Sequence, residues 1–221
     1  MGDKVLIRIT GQKTGDSYLA KSYPDEDYDN DGWNELYEVP VYYIDIINMR
    51  EPSVTRRWKC LRFMPYWNDP ALPSPRYRLQ KWTVAGLSER KEPFQATYYD
   101  ATYNTSNSPS PHKGAIQIQN SFLIHSGPSS LQDDKWGSAG CVEIIGNFSD
   151  FKEDIKTVSG IGGNLPSDEV IFRLIKAGKL YIEIEAADKP SFLVPRKVRF
   201  LAMTMSERSR RCSFGLTKTF H

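Results

Sequence analysis

A histidine and a cysteine sixteen positions apart, His125 and Cys141, are the residues of this chain best suited to carry chemistry. A cysteine thiol needs a base to become a thiolate near neutral pH, and histidine is the usual base. The apolar residues 122–124 lead into His125, and the small residues 138–140 precede Cys141. Small residues let backbone N–H groups approach a developing oxyanion. The stretch therefore predicts nucleophilic catalysis by Cys141.

The rest of the chain predicts a β-rich scaffold for this pair. Runs dense in Tyr, Trp, Ile and Val are separated by clusters of Pro, Gly, Asn, Asp and Ser, a pattern typical of short strands. We predict strands over residues 4–9, 41–47, 57–64, 77–84, 95–103, 115–119, 121–125 and 180–184. Two helices are predicted after the cysteine, over 150–158 and 168–177, with Ser149 and Ser167 as caps. The expected fold is mainly β, sandwich-like or barrel-like, with two short helices, and an α+β fold is the minor alternative.

The length of 221 residues fits one large domain with an appendage. We predict a β-rich N-terminal part over 1–110, with an acidic loop at 25–38, and a His/Cys segment over 111–187 of the same domain. The tail, 188–221, has a net charge of +6, whereas residues 1–187 carry −4. A solvated tail is the favoured interpretation, and contact with an anionic surface is the alternative. No nucleic-acid partner is predicted.

The sequence predicts neither a membrane span nor a disulfide framework. No apolar run approaches the length of a span, and the start of the chain lacks the apolar core and cleavage site of a signal peptide. Three interpretations follow: the chain is cytosolic, it is exported by a route that needs no signal peptide, or its signal has been removed. Its three cysteines are an odd set, and Cys60 lies in an apolar run that predicts a packing role.

The stretch 115–186 resembles the catalytic domain of the L,D-transpeptidase (YkuD-like) family. That family has a histidine at a strand end, a gap of about fourteen to seventeen residues, and then Ser/Thr-His-Gly-Cys followed by an apolar residue and Arg or Asn. Here fifteen residues separate His125 from Cys141, which lies in Ser-Ala-Gly-Cys-Val-Glu, 138–143. The segment 177–184 is similar to the family's final strand.

The resemblance implies a role for four residues. Cys141 would be the nucleophile, His125 its general base, and the backbone carbonyl of Ser126 would orient the imidazole. The N–H groups of Gly140 and Cys141 would contribute to the oxyanion hole. The resemblance further implies attack on the L-to-D bond of a peptidoglycan stem tetrapeptide through a Cys thioester. Hydrolysis, amino-acid exchange or cross-linking would follow, with no cofactor.

Four positions near the turn are predicted to bind substrate: Trp136, Ser138, Ala139 and Glu143. Trp136 precedes the turn and is expected at the mouth of the cleft. Ala139 and Glu143 depart from the family, which has a second histidine and an Arg or Asn at these positions. The change at 139 removes a group that handles protons or orders the loop. An acid at 143 would repel a substrate carboxylate unless it points away on its strand. The two departures therefore weigh more against cross-linking activity than against Cys141 as the nucleophile.

An acidic segment predicts a second site. Asp27, Asp29 and Asp31 alternate, Gly32 follows, and Glu38 stands at position twelve, which matches the calcium-loop pattern. Residues 39–43 continue as a predicted strand, so the helices of an EF-hand are not expected. A structural calcium ion and a solvated acidic turn both remain open as interpretations.

Together these features predict a peptidoglycan-modifying cysteine enzyme that acts as L,D-carboxypeptidase, amino-acid exchanger or transpeptidase. The missing signal and the divergent motif suggest an antibacterial toxin effector, secreted or delivered to the periplasm of a target bacterium. Its partners would then include a secretion apparatus and an immunity protein. The alternative is a catalytically inactive cell-wall-binding module of the same fold. A papain-like peptidase is disfavoured because that family places its cysteine before its histidine.

Overall fold

The computed structural model describes residues 2–21, 33–69, 78–104, 112–119, 122–133, 137–191 and 196–198. Within these ranges the chain is mainly β with two helices, which confirms the predicted fold class. The elements in chain order are β1 (Val5–Lys21), β2 (Asn34–Asn48), β3 (Thr55–Leu61), β4 (Phe63–Asp69), β5 (Arg78–Gly86), β6 (Arg90–Gln95), β7 (Tyr99–Asp100), β8 (Ala115–Gln119), β9 (Phe122–Ser126), β10 (Val142–Ile145), α1 (Phe148–Val158), α2 (Ser167–Lys176), β11 (Leu180–Ile184) and β12 (Arg196–Val198).

Most strands join one mixed sheet in the order β6-β11-β1-β2-β3-β10-β9-β8-β7, and β12 pairs with β2. Two of its neighbouring pairs, β1 with β11 and β9 with β10, are parallel. The remaining pairs are antiparallel. Strands β4 and β5 form a separate antiparallel ribbon. A parallel pair needs a long crossover between its strands, and the fifteen residues between β9 and β10 supply it for the strands that flank the His/Cys segment.

Both helices pack on one face of the sheet, and the apolar side chains between the helices and the sheet form the main core of the protein. Their apolar stripes, with Phe151 of α1 and Leu174 of α2 fully buried, pack against alternate strand residues such as Ile7, Ile44 and Ile144. Alternation along a strand places every second side chain on this face. The opposite face is partly covered by a second core.

The second core joins the far ends of β1 and β2 to the middle of the sheet. Tyr18 and Tyr37 belong to it and pack in a cluster with Leu61 of β3, Met64 of β4 and Ile145 of β10. Leu61 and Ile145 lie one residue after Cys60 and Ile144, which face the helices. The second core therefore lies on the sheet face opposite the helices.

Several predicted boundaries are wrong for identifiable reasons. Strand β1 continues beyond the predicted 4–9 and through the polar residues 14–17, because it pairs with β2 from Val5 to Lys21 with two register shifts. The predicted strand 95–103 is split between β6 and β7, which lie at opposite edges of the sheet. Helix α1 begins earlier than predicted, because the side chain of Asn147 accepts the N–H of Ser149 at 2.9 Å. Tertiary pairing and local capping override propensity at these positions.

The described helices contain 11 and 10 residues. None of the helices in the described part of the chain is long and apolar enough to cross a membrane.

The helix-covered core predicts which aromatic residues stabilise the fold. Phe151 is fully buried, stacks on Phe148 with ring centroids 5.5 Å apart and meets Trp58 edge-on at 5.7 Å. We expect Phe151→Ala to lower the free energy of unfolding by about 3–5 kcal/mol. Phe172→Ala is the matched control, because Phe172 is 51% exposed, and we expect it to cost under about 1 kcal/mol. Urea denaturation of both variants measures the difference, and equal losses would contradict this description of the core.

Candidate active site

The parallel pairing of β9 and β10 brings the predicted site residues onto neighbouring strands. The register pairs Val142 with Ile124 and Glu143 with His125. Ile124 and Val142 face the helix-covered core, so His125 and Glu143 lie on the opposite face by alternation. Cys141 immediately precedes β10 and lies two residues before Glu143. The histidine, the cysteine and the glutamate therefore share one end of one sheet face.

His125 is held in a single tautomer. Its side chain is buried, and Nδ1 lies 2.7 Å from the backbone carbonyl oxygen of Ser126. A carbonyl oxygen only accepts hydrogen bonds, so Nδ1 carries the hydrogen and Nε2 of the neutral ring carries a lone pair. Burial lowers the pKa of His125 to about 4, and the Ser126 carbonyl opposes that effect. At neutral pH the ring is therefore uncharged and presents a basic nitrogen at Nε2.

The Cys141 thiol is half-buried and protonated at neutral pH. Burial raises its pKa to about 11, the backbone N–H of Leu123 acts in the opposite direction, and the negative charge that Glu143 can carry raises it further. Among the described residues, the Leu123 N–H is the contact that favours the thiolate. It comes from β9, the strand that also carries His125.

Cys141 and His125 are diagonal neighbours on their strands. Adjacent strands lie about 5 Å apart, and two residues along a strand span roughly 6.6 Å. The backbone of Glu143, which is directly opposite His125, therefore lies closer to the backbone of His125 than that of Cys141 does in the strand register. Among the described side chains, no hydrogen bond joins the Cys141 sulfur to His125. The resting site accordingly contains a neutral thiol and a neutral imidazole.

The turn before Cys141 requires glycine at its last position. Gly140 has φ +104, and a Cβ there would lie 2.8 Å from the Phe122 ring and 3.0 Å from the Gly86 nitrogen. The turn thus packs directly on β9 and on the end of the β4–β5 ribbon. Glycine meets both requirements because it tolerates positive φ and has no side chain.

Hydrogen bonds inside the turn engage one of the two N–H groups of the predicted oxyanion hole. The Gly140 N–H donates to the Ser138 hydroxyl oxygen at 3.2 Å, and that hydroxyl donates to the Cys141 carbonyl at 3.3 Å. The Gly140 N–H is therefore already occupied in this structure. Ser138 is buried and stabilises the turn, whereas Ala139 is exposed. A donor role for the Cys141 N–H stays a prediction.

Glu143 lies beneath the site and does not reach its mouth. It is 1% exposed, and Gly127 packs so tightly on it that a Cβ at 127 would lie 2.8 Å from the Glu143 Cβ. Its Oε2 atom has no hydrogen-bond partner among the described residues. Burial raises the pKa of Glu143 to about 8, and the cation of Lys21 opposes that effect. Such a buried acid has no surface for direct contact with a substrate, which was its predicted role.

The remaining predicted positions are not assembled into a site by the described residues. Trp136 lies outside the described residues, as do Asp27, Asp29 and Asp31 of the acidic loop. Glu38, the last member of the predicted calcium set, is exposed on β2. Within the described ranges, no group of three or more His, Cys, Asp or Glu residues could hold a metal ion. Calcium binding stays a prediction.

Three contributors to the site were not assigned to it from the sequence. The Tyr103 ring packs on the His125 ring with centroids 5.5 Å apart and planes tilted by 47°. Lys21, at the end of β1, is buried near Glu143, and the Leu123 N–H faces Cys141. Lys21 lies more than a hundred residues from His125 in the chain. Only the three-dimensional pairing of the strands brings it there, and no sequence pattern signals it.

The buried neutral imidazole predicts an acid-sensitive fold. Because the pKa of His125 is lower in the folded chain, at about 4 against an ordinary 6.5, the unfolded chain binds the extra proton first as pH falls. We expect the wild type to lose up to about 3 kcal/mol of unfolding free energy between pH 6.5 and pH 4 through this group. Denaturant unfolding of wild type and His125→Asn across that range isolates the loss. Parallel pH profiles for the two proteins would contradict it.

Comparison with protein-family models, with curated proteins and with solved structures finds no match for this chain.

Proposed function

We propose that this protein is a peptidoglycan-directed cysteine enzyme that opens an L-to-D amide bond of a stem tetrapeptide through a thioester on Cys141. The observation that carries the proposal is the hydrogen bond from His125 Nδ1 to the Ser126 carbonyl at 2.7 Å. It fixes the imidazole with a basic Nε2 on the strand next to the cysteine. A backbone carbonyl thereby does the orienting work that a carboxylate does in a conventional triad.

The chemistry follows from the neutral resting state. As the sulfur attacks the substrate carbonyl carbon, the thiol proton passes to His125 Nε2, and the carbonyl π electrons move to oxygen. The tetrahedral intermediate collapses with loss of the terminal D-amino acid, whose amine takes the proton from the imidazolium. Water or an acceptor amine then attacks the thioester and regenerates the thiol. No thiolate has to exist before substrate binds, which fits a thiol with a pKa raised to about 11.

The choice of a wall substrate is supported by the motif around 125 and 138–143 and by the placement of Glu143. An exposed carboxylate at 143 would repel the carboxylate of a stem peptide. Glu143 is instead buried, with its pKa raised to about 8 by that burial. It is therefore largely uncharged at neutral pH and has no direct contact surface. The departure from the family at this position is compatible with an anionic donor.

A second candidate function is a wall-binding module of the same fold that has lost turnover. It is favoured by the raised pKa of the Cys141 thiol and by the diagonal placement of Cys141 and His125 without a hydrogen bond. Its active-site residues would then only maintain the shape of the cleft.

Purified muropeptides separate the two candidates. We expect the wild type to remove, exchange or cross-link the terminal D-amino acid of tetrapeptide muropeptides, because Cys141 and His125 carry the acyl transfer. Cys141→Ala and His125→Ala should each lower the rate by at least about a hundredfold. Mass spectrometry of the products names the reaction.

Cys60→Ala is the matched control, because Cys60 is fully buried outside the site. If the wild-type protein leaves the muropeptides unaltered but still binds sacculi, the binding module is favoured. Full activity in Cys141→Ala would reject Cys141 as nucleophile.

A further inference from the structure

The carboxyl group of Glu143 is a buried titratable group that the proposed acyl transfer does not use. It lies directly opposite His125 in the parallel register and two residues after Cys141, on the same sheet face. The side chain is 1% exposed, and Oε2 has no hydrogen-bond partner in the part of the chain that the structure describes. A buried polar atom without a partner lowers stability. This carboxyl therefore destabilises the fold at the candidate site.

The groups around Glu143 come from each element packed against it. Strand β9 contributes the neutral imidazole of His125, and Gly127 after it contributes only backbone. The end of β1 contributes the buried cation of Lys21. The partner in β3 is the apolar Leu61. The thiol of Cys141 completes the set, so one cation, Lys21, and two titratable groups that can be neutral, His125 and Cys141, surround the carboxyl.

This environment allows the Glu143 carboxyl to be either protonated or deprotonated within the pH range in which enzymes work. Below its pKa of about 8 it is an uncharged acid, because burial penalises the carboxylate more than Lys21 favours it. Above that pH it becomes a carboxylate two residues from Cys141 on the same sheet face, and the negative charge then opposes formation of a thiolate. Burial keeps the surrounding dielectric low, so solvent screens this repulsion little.

We propose that Glu143 is a positioning residue of the Cys141 site whose own proton controls how readily the thiol ionises. While the carboxyl is protonated, it places no negative charge near the thiol, and the thiol can pass its proton to His125 as it attacks. Once the carboxyl is deprotonated, its charge holds the sulfur in the thiol form. The enzymatic consequence, a loss of acyl transfer in alkaline solution, rests on the proposed function, whereas the coupling between Glu143 and the Cys141 thiol does not.

The rate at which iodoacetamide alkylates Cys141 between pH 6.5 and pH 10 measures the coupling without any substrate. In the wild type we expect the logarithm of the rate to rise with pH up to about pH 8 and then to rise less steeply, as Glu143 ionises. In Glu143→Gln the steep rise should continue. The variant should then label about three- to tenfold faster than the wild type at pH 10, and the two rates should converge below pH 7.

Peptide mapping assigns the label to Cys141, and the fully buried Cys60 serves as an internal site that should stay unlabelled. Glu51→Gln is the matched control, since Glu51 is exposed and belongs to the loop before β3. This control should reproduce the wild-type profile, including its change of slope. A straight wild-type profile, or identical profiles for wild type and Glu143→Gln, would overturn the proposal.

Lys21→Met provides a second variant in case Glu143→Gln does not fold, as judged by circular dichroism. Removing the Lys21 cation removes the group that favours the Glu143 carboxylate. The change of slope should therefore move to higher pH, and an unchanged position would overturn the proposal. If the labelling profiles differ as expected but the wild type does not turn over muropeptides, the proposed enzyme activity is rejected and the coupling between Glu143 and Cys141 is retained. If muropeptides are turned over but the labelling profiles do not differ, the coupling is rejected and the enzyme activity is retained.

Discussion

The parallel pairing of β9 with β10 is the constraint on which the rest of the site depends. Parallel strands cannot be joined by a tight turn, so the chain must leave His125, cross over, and return one strand away at Cys141. The register then fixes which side chains meet: Glu143 opposite His125 and Val142 opposite Ile124. A shift of one residue would turn the imidazole and the thiol toward the helix-covered core. The packing of Ile124, Val142 and Ile144 in that core therefore sets the position of the chemistry on the other face.

Desolvation dominates the electrostatics of the site. Burial is the largest cause of the pKa shift at His125, at Cys141 and at Glu143, and in each case it favours the uncharged form. The Ser126 carbonyl, the Leu123 N–H and the Lys21 cation each oppose burial, and none of them reverses it. In the resting site the side chains of His125, Cys141 and Glu143 are therefore uncharged at neutral pH. In such a site the attack of sulfur and the transfer of its proton to His125 belong to one step, since a separated thiolate and imidazolium would both be penalised.

The sequence predicted the β-rich fold, the two helices and the strands that carry His125 because these depend on local patterns. Alternation in 115–119 and 180–184 matches β8 and β11, and the small residues before Cys141 match the observed turn. The length of β1 and the burial of Glu143 could not be predicted. The first depends on pairing with β2 over seventeen residues, and the second on the approach of Lys21 and Gly127 from distant parts of the chain. From sequence alone a polar residue is predicted to be exposed, and only its neighbours in the fold show that it is buried.

The central claim is that Cys141 carries the acyl group, and intact-protein mass spectrometry after acid quenching tests it most directly. Wild-type protein mixed with a stem tetrapeptide donor should gain the mass of the donor without its terminal D-amino acid. Proteolysis should place that mass on Cys141, and a thioester should be lost on treatment with hydroxylamine. Slower acylation in His125→Ala would assign the proton transfer to the imidazole. Release of the terminal residue with no adduct on Cys141, or with the adduct on Cys60 or Cys212, would contradict the claim.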